Sequence, residues 1–428
     1  MARILVTGAA GFIGRHVVAA LLERRHSVVG VLRGPTPPSL ADHSRFTAIR
    51  KDLSTLTDAE NWRDIVSGVN VVLNCAGVLQ AGRRTMTAVH ERAPQALFAA
   101  AAEAGISRIL QVSAISADAD TMYAQTKRAA DESLMELDLD WVVVRPSLVY
   151  ARGSYGGTSL LRGLAALPGA VVVPGDGGQT FRPVYMDDLV GILCELCETR
   201  TIKRYVIEPV GPEVMTLRDI VTATRRWLDL PAAPVMQIPM ALVKTAAKVG
   251  DLLRWKVVNS TAVAQITHGN TGSSGSFAGL YAPAARSMDD VFAATPSSVQ
   301  DRWHAHLALL APVLTAVLAL MWLVTGVVGL VAGEPLAASI AGSLGRESVD
   351  PRFFAWGGSA IEITIALLVL SGLPTRWLVT VQVGVILMFT AVLTIALPHL
   401  WLDPLGPLLK NIPFLMLIAV WAAVRARR

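Results

Sequence analysis

The sequence has little cysteine and no long run of basic residues. Its 428 residues include three cysteines, too few for a disulfide framework. Cys194 and Cys197 lie three positions apart in an apolar helical pattern without neighbouring ligands, so we expect buried thiols and no metal site. The net charge of +5 is modest and is not concentrated, so nucleic acid is not an expected partner.

We also expect no secretory signal, because the first apolar strand begins by Arg3. The N-terminal part is therefore expected to stay in the cytoplasm. Charged residues become scarce beyond about residue 305, and a hydrophobic content of 53% with a mean hydropathy of +0.48 is high for a soluble protein. This asymmetry predicts a soluble N-terminal part and a membrane-embedded C-terminal part.

A turn with regularly spaced glycines follows the first strand. Two residues separate Gly8 from Gly11 and Gly11 from Gly14. The first glycine permits a tight turn, and the later ones let a pyrophosphate and the strand approach the next helix closely. The start of that helix, with its positive dipole end, then holds the phosphates. The predicted dinucleotide-binding residues here are Thr7, Gly8, Gly11, Phe12, Ile13 and Gly14.

Strands and helical patterns alternate along the first 150 residues, which predicts an α/β domain with a Rossmann-like, doubly wound parallel sheet. The predicted strands are residues 3–6, 27–32, 46–49, 69–74, 109–112 and 141–144, and the main helical patterns are 12–24, 89–104 and 123–137. We expect a nucleotide-binding domain at 1–150, a smaller substrate lobe with a linker and late Rossmann elements at 151–300, and an all-α transmembrane domain at 305–428.

The ends of the next strands bear on the choice of dinucleotide. The second strand ends at Arg33, with no acidic residue nearby. An acidic residue there binds the ribose 2′-hydroxyl of NAD, whereas an arginine accommodates the 2′-phosphate of NADP. We therefore favour NADP(H) over NAD(H), the alternative for Arg33 being an ordinary exposed charge. Asp52 and Leu53 after the third strand, and Ala76 and Gly77 after the fourth, are further predicted cofactor-binding residues.

Three residues that follow have a spacing typical of proton transfer. Tyr123 and Lys127 are four apart, which places both on one face of a helix, one turn apart. A nearby ammonium favours the phenolate, so we expect it to lower the pKa of Tyr123 and make the phenol a usable proton donor or acceptor. Ser113, which closes the fifth strand, is predicted to hydrogen-bond the reacting oxygen.

Together these residues resemble the short-chain dehydrogenase/reductase superfamily, and within it the extended or atypical NAD-dependent epimerase/dehydratase branch. The resemblance covers about residues 1–300 and includes the segments RPSLVY at 145–150 and FRPVYMDDL at 181–189. It implies that Tyr123 and Lys127 also contact the cofactor, that Pro146 and Val149 border it, and that Arg182 faces substrate. A salt bridge from Arg182 to Asp187 or Asp188 is the structural alternative.

Two features depart from the pattern of this superfamily. Ser113 and Tyr123 are only ten residues apart, a short separation that leaves little loop to shape a substrate pocket. Ala151 and Arg152 stand where a Gly-Pro pair often follows the tyrosine of the RPxxVYG segment. The first departure puts the role of Ser113 in doubt.

Residues 240–256 form a basic amphipathic pattern, with Lys244, Lys248, Asp251 and Arg254 among apolar residues. Such a helix can lie at a membrane surface or pack on the substrate lobe, and both alternatives stay open.

Four apolar runs near the C-terminus, at 307–331, 354–373, 377–397 and 408–424, approach the length that spans a bilayer. Glu362 falls inside the second run, where a carboxylate is either functional or a protonated or water-contacting structural residue. Flanking arginines favour both termini inside a bacterial-type inner membrane, with the N-terminal domain and the C-terminus cytoplasmic. Residues 400–413, LWLDPLGPLLKNIP, resemble a DoxX-like membrane domain.

These patterns lead to a membrane-anchored NAD(P)-dependent oxidoreductase, in contact with membrane lipids, that acts on a carbonyl or alcohol of a lipophilic or lipid-linked substrate. Two alternatives remain. One is a catalytically silent NADPH-binding structural or assembly protein, and the other is a nucleotide-sugar epimerase or dehydratase. The sequence does not fix the oligomeric state.

Overall fold

The structure, a computed structural model, describes residues 1–78, 81–115, 121–154, 157–252, 259–273, 285–371 and 373–425. The chain divides into two compact units, Met1–Ala305 and His306–Arg428. Each is described by itself below.

A parallel seven-stranded sheet forms the centre of the first unit. Its strands are β1 (Arg3–Thr7), β2 (Ser27–Leu32), β3 (Phe46–Arg50), β4 (Val71–Asn74), β5 (Arg108–Val112), β6 (Asp140–Val144) and, later in the chain, β11 (Tyr205–Ile207). The order across the sheet is β11-β6-β5-β4-β1-β2-β3. The strand order reverses between β1 and β4, and in such sheets ligands bind outside the carboxyl ends of the strands at this point.

Three small sheets of two strands each complete the strand inventory of the described residues. β7 (Val149–Tyr150) pairs with β10 (Val184–Tyr185), β8 (Val171–Pro174) with β13 (Val235–Ile238), and β9 (Thr180–Phe181) with β12 (Met215–Thr216). They belong to the region that was predicted to form the substrate lobe.

The helices of the first unit lie between these strands. They are α1 (Phe12–Glu23), α2 (Pro38–Ala41), α3 (Arg63–Val66), α4 (Arg83–Thr87), α5 (Ala93–Glu103), α6 (Met122–Met135), α7 (Gly157–Ala165), α8 (Met186–Glu198), α9 (Leu217–Trp227), α10 (Met240–Leu252), α11 (Ser260–His268) and α12 (Met288–Ala294). A π-helical turn, Ala88–Arg92, joins α4 to α5. Residues 253–256 of the predicted amphipathic helix lie outside the described residues.

Apolar side chains cover both faces of the parallel sheet, which explains why its strands have few polar residues. On one face, Val17 of α1 and Leu193 of α8 pack with Ile4 of β1. On the other face, Phe98 of α5 and Trp62 pack with Leu5. Cys194 and Cys197 are buried in the first of these clusters, and Cys75 packs against it, in agreement with the expected core thiols.

The second unit is helical. Its elements are α13 (Val299–Ala332, which begins within the first unit), α14 (Glu334–Ser343), α15 (Pro351–Leu370), α16 (Thr375–Ala396) and α17 (Asn411–Arg425). Among the described residues, three helices are long and apolar enough to cross a membrane: α13, α15 and α16. Three of the four predicted spans therefore correspond to helices of sufficient length. The fourth run forms a helix of 15 residues, only about 22 Å long at 1.5 Å per residue, because it begins at Asn411 and not at Leu408.

Candidate functional site

The glycine turn brings β1 and α1 so close together that side chains cannot be accommodated. Gly8 has a positive φ of 64°, and a Cβ there would lie 3.0 Å from Ala76 Cα. A Cβ on Gly14 would lie 2.2 Å from the Gly8 carbonyl oxygen, and one on Gly11 would lie 2.9 Å from the same atom. Gly11 precedes the first turn of α1. The turn thus leaves bare backbone at a helix N-terminus, which suits the phosphates of a dinucleotide.

Side-chain amides fix the carboxyl ends of the central strands. The Thr7 hydroxyl donates a short hydrogen bond to Asn74 Oδ1, and the Asn74 amide donates to Gln111 Oε1 over 2.6 Å. The backbone N–H of Ala76 also donates to Asn74 Oδ1, at 3.2 Å. These bonds align the carboxyl ends of β1, β4 and β5, at the edge of the sheet where the predicted cofactor-binding residues lie.

Lys127 reaches this edge from α6. Its Nζ donates to the carbonyl oxygens of Ala76, over 2.9 Å, and Val112, over 3.0 Å. Gly77 lies against it, since a Cβ there would be 3.5 Å from Lys127 Nζ. The structure thus brings Gly8, Ala76, Gly77 and Lys127, all predicted site residues, into one cluster at the sheet edge.

The environment of Tyr123 opposes one expectation. Burial raises the pKa of Tyr123 to about 12, and the negative charge of Asp131 adds to that rise. The prediction of a lowered pKa for this phenol is therefore wrong, because burial outweighs any effect of the Lys127 ammonium. The reason is that Lys127 turns to two backbone carbonyls, while the phenol lies in a poorly solvated position.

His90 is a site residue that the sequence did not reveal. It is buried in the π-helical turn, and its ring meets that of Tyr123 edge-on at a centroid distance of 5.3 Å. The N–H of Val78 donates to its Nε2 over 2.8 Å, and its Nδ1 lies 3.1 Å from the Thr126 hydroxyl. Burial, with the charge of Lys127, lowers the pKa of His90 to about 2. The ring is therefore neutral and carries its proton on Nδ1.

Asp131 is a second site residue that the sequence did not reveal. It is fully buried, and the Ser113 hydroxyl donates to its Oδ2 over 2.8 Å. Arg145, which follows β6, forms an ion pair with the same oxygen at 3.1 Å. The Ser113 proton, expected to serve the reacting oxygen, is thus directed at a carboxylate. Burial raises the pKa of Asp131, whereas Ser113, Arg145 and Lys127 lower it.

His90 and Asp131, which the sequence analysis did not name, differ in whether local spacing could have indicated them. Asp131 follows Lys127 by four positions, so the helical spacing that paired Tyr123 with Lys127 extends to it. His90 offers no such signal, because its partners, Val78 and Thr126, come from elements distant along the chain.

Of the other predicted cofactor-binding residues, Leu53 borders the same small cavity as Thr7 and Ala76. Arg33 is exposed after β2. Asp52 caps the 3-10 turn Leu53–Thr55, accepting from the N–H and the hydroxyl of Ser54, each over 2.9 Å. The carbonyl of Pro146 accepts from the N–H of Ile115, and Val149 lies in β7. No contact joins Arg33 or Asp52 to the Lys127 cluster within the described residues.

Arg182 does not form the ion pair that was its structural alternative. Its guanidinium donates to the Pro212 carbonyl over 3.0 Å, and its buried Nε has no partner among the described atoms. Asp188 binds Arg286 instead, with the shortest of several contacts at 2.6 Å. A role of Arg182 toward substrate stays a prediction.

Glu362 lies in α15 of the second unit, where α13 approaches closely. A Cβ on Gly326 of α13 would be 3.2 Å from Glu362 Cβ, and one on Gly329 would be 2.5 Å from Ser359 Oγ. Small residues of this kind let helices pack tightly in lipid.

Comparison with protein families divides the chain in the same way. Residues 8–206 match the NAD(P)H-binding family, and residues 319–419 match the DoxX-like family. The first match contains the glycine turn, Lys127 and β11, and the second contains α15 and α16.

Curated relatives match part of the chain. The ceramide reductase of Caulobacter vibrioides is 28% identical over 268 residues, which are 60% of this chain and 80% of that protein. An uncharacterized protein of Mycobacterium tuberculosis is 28% identical over 235 residues, 55% of this chain. The chain spans only 25% of the length of this and similar mycobacterial relatives. A 3-beta-hydroxysteroid dehydrogenase of Mycolicibacterium neoaurum is 26% identical over 36% of this chain and 49% of that protein.

Among solved structures, the dTDP-glucose 4,6-dehydratase of Bacillus anthracis in complex with NAD superposes with a TM-score of 0.49. It is 17% identical, and the match covers 56% of this chain and 85% of the other. The family matches, the order of the parallel sheet and the glycine turn agree with one another. The chain therefore joins an NAD(P)-binding Rossmann domain to a C-terminal DoxX-like domain.

Proposed function

We propose that this protein is a membrane-anchored, NADP(H)-dependent oxidoreductase that interconverts a carbonyl and an alcohol on a lipophilic or lipid-linked substrate. The observation that carries the proposal is the position of Lys127. Its ammonium is held by two backbone carbonyls at the carboxyl edge of the sheet, one helical turn from Tyr123 and beside the segment that follows β4. That edge is where the glycine turn would place a bound dinucleotide.

The residues present fit a dinucleotide. A Cβ would collide with backbone at Gly8, Gly11 and Gly14, so glycine at these positions lets β1 and α1 approach closely and leaves bare backbone for phosphates at the start of α1. Arg33, exposed after β2, is proposed to bind a 2′-phosphate. Asp52 and Leu53 are proposed to lie beside the adenosine of the dinucleotide. Pro146 and Val149 are proposed to lie near its nicotinamide end. When bound, the nicotinamide supplies the hydride.

Tyr123 is proposed to exchange the proton with the substrate oxygen. With a pKa of about 12, its phenol is neutral near pH 7 and can donate a hydrogen bond and then a proton to a carbonyl oxygen. Lys127 would hold the ribose and stabilise the negative charge left on the phenol. Ser113 can donate to the substrate oxygen only when its hydroxyl turns away from Asp131. Arg145 then remains the ion-pair partner of Asp131. Arg182 is proposed to contact the rest of the substrate.

The lipophilic substrate is supported by two independent features. The second unit contains three helices that can cross a membrane, so the enzyme would work at a lipid surface. Two relatives are named for a ceramide and a 3-beta-hydroxysteroid. We propose further that residues 1–150 bind the nucleotide and 151–300 shape the substrate site. Both this region and the C-terminus are proposed to be cytoplasmic, on an inner membrane, with the shorter apolar helix α17 as a fourth crossing, since arginines flank the expected inner ends of the four runs.

Tyr123→Phe tests the proposal in the full chain. The variant removes the phenolic hydroxyl and keeps the ring, so we expect the turnover of NADPH with a lipid carbonyl to fall by about a hundredfold or more. Binding of NADPH, followed by fluorescence titration, is expected to persist. The matched control is Tyr205→Phe, which changes an exposed tyrosine at 45% exposure on the edge strand β11. Equal turnover in wild type and Tyr123→Phe would refute the mechanism.

A second candidate, an NADPH-binding protein without catalysis, is favoured by two observations. Burial holds the pKa of Tyr123 at about 12, and the Ser113 hydroxyl is directed at Asp131. A protein of this kind would bind NADPH tightly, exchange no hydride with any substrate and co-purify with a membrane complex.

A further inference from the structure

His90 is a buried, hydrogen-bonding side chain to which the proposed reaction gives no task. It is only 1% exposed, and both of its ring nitrogens have a partner. Burying a polar ring costs free energy unless its nitrogens are paired, so a side chain that only fills space here would be apolar. The two partners, Val78 and Thr126, belong to two different segments that also carry predicted site residues.

The Nε2 atom of His90 holds the segment that follows β4. The Val78 N–H donates to this atom over 2.8 Å, and the Ala76 carbonyl accepts from Lys127 Nζ over 2.9 Å. Gly77 lies between the two bonds, since a Cβ there would be 3.8 Å from His90 Nε2 and 3.5 Å from Lys127 Nζ. His90 and Lys127 thus fix three consecutive residues at the edge where the dinucleotide is proposed to bind.

The Nδ1 atom of His90 holds the start of α6, which carries Tyr123. The proton of the Thr126 hydroxyl is directed at the Met122 carbonyl, over 2.8 Å, so the hydroxyl oxygen accepts from His90 Nδ1 over 3.1 Å. Thr126 and Lys127 follow Tyr123 by three and four positions, which places all three on one face of the helix. The rings of His90 and Tyr123 meet at 90°, with 5.3 Å between their centroids.

The backbone around His90 is also unusual. The π-helical turn Ala88–Arg92 interrupts the helical run from α4 to α5, and His90 is its central residue. Turns of this type inside α-helices are rare and are frequent at functional sites. The turn places one imidazole between two segments that are otherwise 44 or more positions apart in the sequence, since Val78 precedes Met122 by that number.

We propose that His90 is a positioning residue that clamps residues 76–78 to the start of α6, and so fixes the Tyr123 hydroxyl relative to the carboxyl edge of the sheet. This role rests on the proposed function, because it serves the proton transfer by Tyr123. The imidazole itself exchanges no proton in it. Its contribution is geometric, and a misplacement of about 1 Å of a reacting group can lower a rate by about a hundredfold.

Two variants of the full chain in detergent separate the two ends of the imidazole. Thr126→Val removes the acceptor of Nδ1 and leaves the bond to Val78. We expect kcat with a long-chain or steroid ketone to fall by about tenfold or more, while the Kd of NADPH stays nearly constant. His90→Leu breaks both bonds, so kcat should fall and the Kd of NADPH should rise severalfold.

A conservative variant and a matched control accompany them. His90→Gln can accept from the Val78 N–H and donate to Thr126, so it should restore most of the turnover that His90→Leu loses. Thr224→Val removes a buried hydroxyl of the same kind, which donates to the Ile220 carbonyl over 2.7 Å in α9. It should leave both kcat and the Kd of NADPH at the values of wild type.

Amide hydrogen exchange at residue 78, followed by mass spectrometry, tests the clamp without turnover. The Val78 N–H should exchange faster in His90→Leu than in wild type or His90→Gln. This pattern in a wild type that reduces no ketone would refute the proposed function and support the clamp. Equal exchange in wild type and His90→Leu would overturn the clamp. So would an active wild type in which Thr126→Val keeps the same kcat as Thr224→Val.

Discussion

Lys127 is the residue through which the candidate site is organised. Two backbone carbonyls, of Ala76 and Val112, orient its ammonium, so its position does not depend on another flexible side chain. Burial lowers the pKa of Lys127, while the charge of Asp131 raises it. His90 stays neutral beside it, which avoids a second buried cation. The two carbonyl acceptors favour the protonated form of this amine next to Tyr123.

His90 makes a prediction about acid stability. In an unfolded chain, an imidazole has a pKa of about 6.5. In the folded protein, burial lowers the pKa of His90 to about 2, so between these values only the unfolded chain binds the proton. Its contribution to stability is complete above about pH 6.5 and is lost by about 1.4 kcal/mol per pH unit as the pH falls below that.

His90→Gln should remove this part of the pH dependence. A glutamine can accept from the Val78 N–H and donate to Thr126 without titrating. Thermal unfolding of the full chain in detergent, followed from about pH 7 to about pH 5, is expected to show a smaller fall for the variant than for wild type. The same change at the exposed His268, His268→Gln, serves as control. Parallel curves for wild type and His90→Gln would contradict the neutral buried state.

Arg33 makes a prediction about the dinucleotide. If its guanidinium binds the 2′-phosphate, Arg33→Ser should raise the Kd of NADPH by about tenfold or more, because charge-assisted bonds to phosphate are strong. The Kd of NADH should stay nearly constant. Arg63→Ser, which changes an exposed arginine of α3, is the matched control in the same fluorescence titration. Tighter binding of NADH than of NADPH by wild type would contradict the choice of cofactor.

At the scale of elements, the close approach of β1 and α1 depends on glycines, which have no side chain. Gly14→Ala places a methyl group 2.2 Å from the Gly8 carbonyl oxygen, so the turn must open. We expect weaker binding of both NADPH and NADH and a lower unfolding temperature. Gly34→Ala is the control, since a Cβ there meets no atom within 4 Å. Calorimetric titration and thermal unfolding measure both effects, and unchanged binding by Gly14→Ala would argue against this cradle.

The elements of the sheet could be predicted because each strand is a short apolar run between turn signals. All six strands predicted in the first 150 residues are confirmed, and the late strand β11 joins the same sheet. The side-chain network was harder. The bond from Ser113 to Asp131 joins β5 to α6, and the high pKa of Tyr123 depends on burial, neither of which is visible in local spacing. The fourth predicted span forms an apolar helix that is shorter than expected, because Pro404 and Pro407 suit turns before Asn411.

At the scale of the whole molecule, the chain combines two kinds of domain. The first unit contains a Rossmann fold with a buried polar cluster around Lys127, and three helices that can span a bilayer are found among the described residues of the chain. The proposal for a lipophilic substrate follows from this combination.

The central claim is that hydride passes between NADPH and a lipid at the site of Tyr123. The direct measurement uses the full chain in lipid nanodiscs with NADPH deuterated at the transferable position and a panel of long-chain and steroid ketones. Mass spectrometry of the recovered lipids should find one deuterium at the new alcohol carbon, and Tyr123→Phe should reduce its rate of appearance by about a hundredfold or more. Tight binding of NADPH with no deuterium in any lipid would contradict the account.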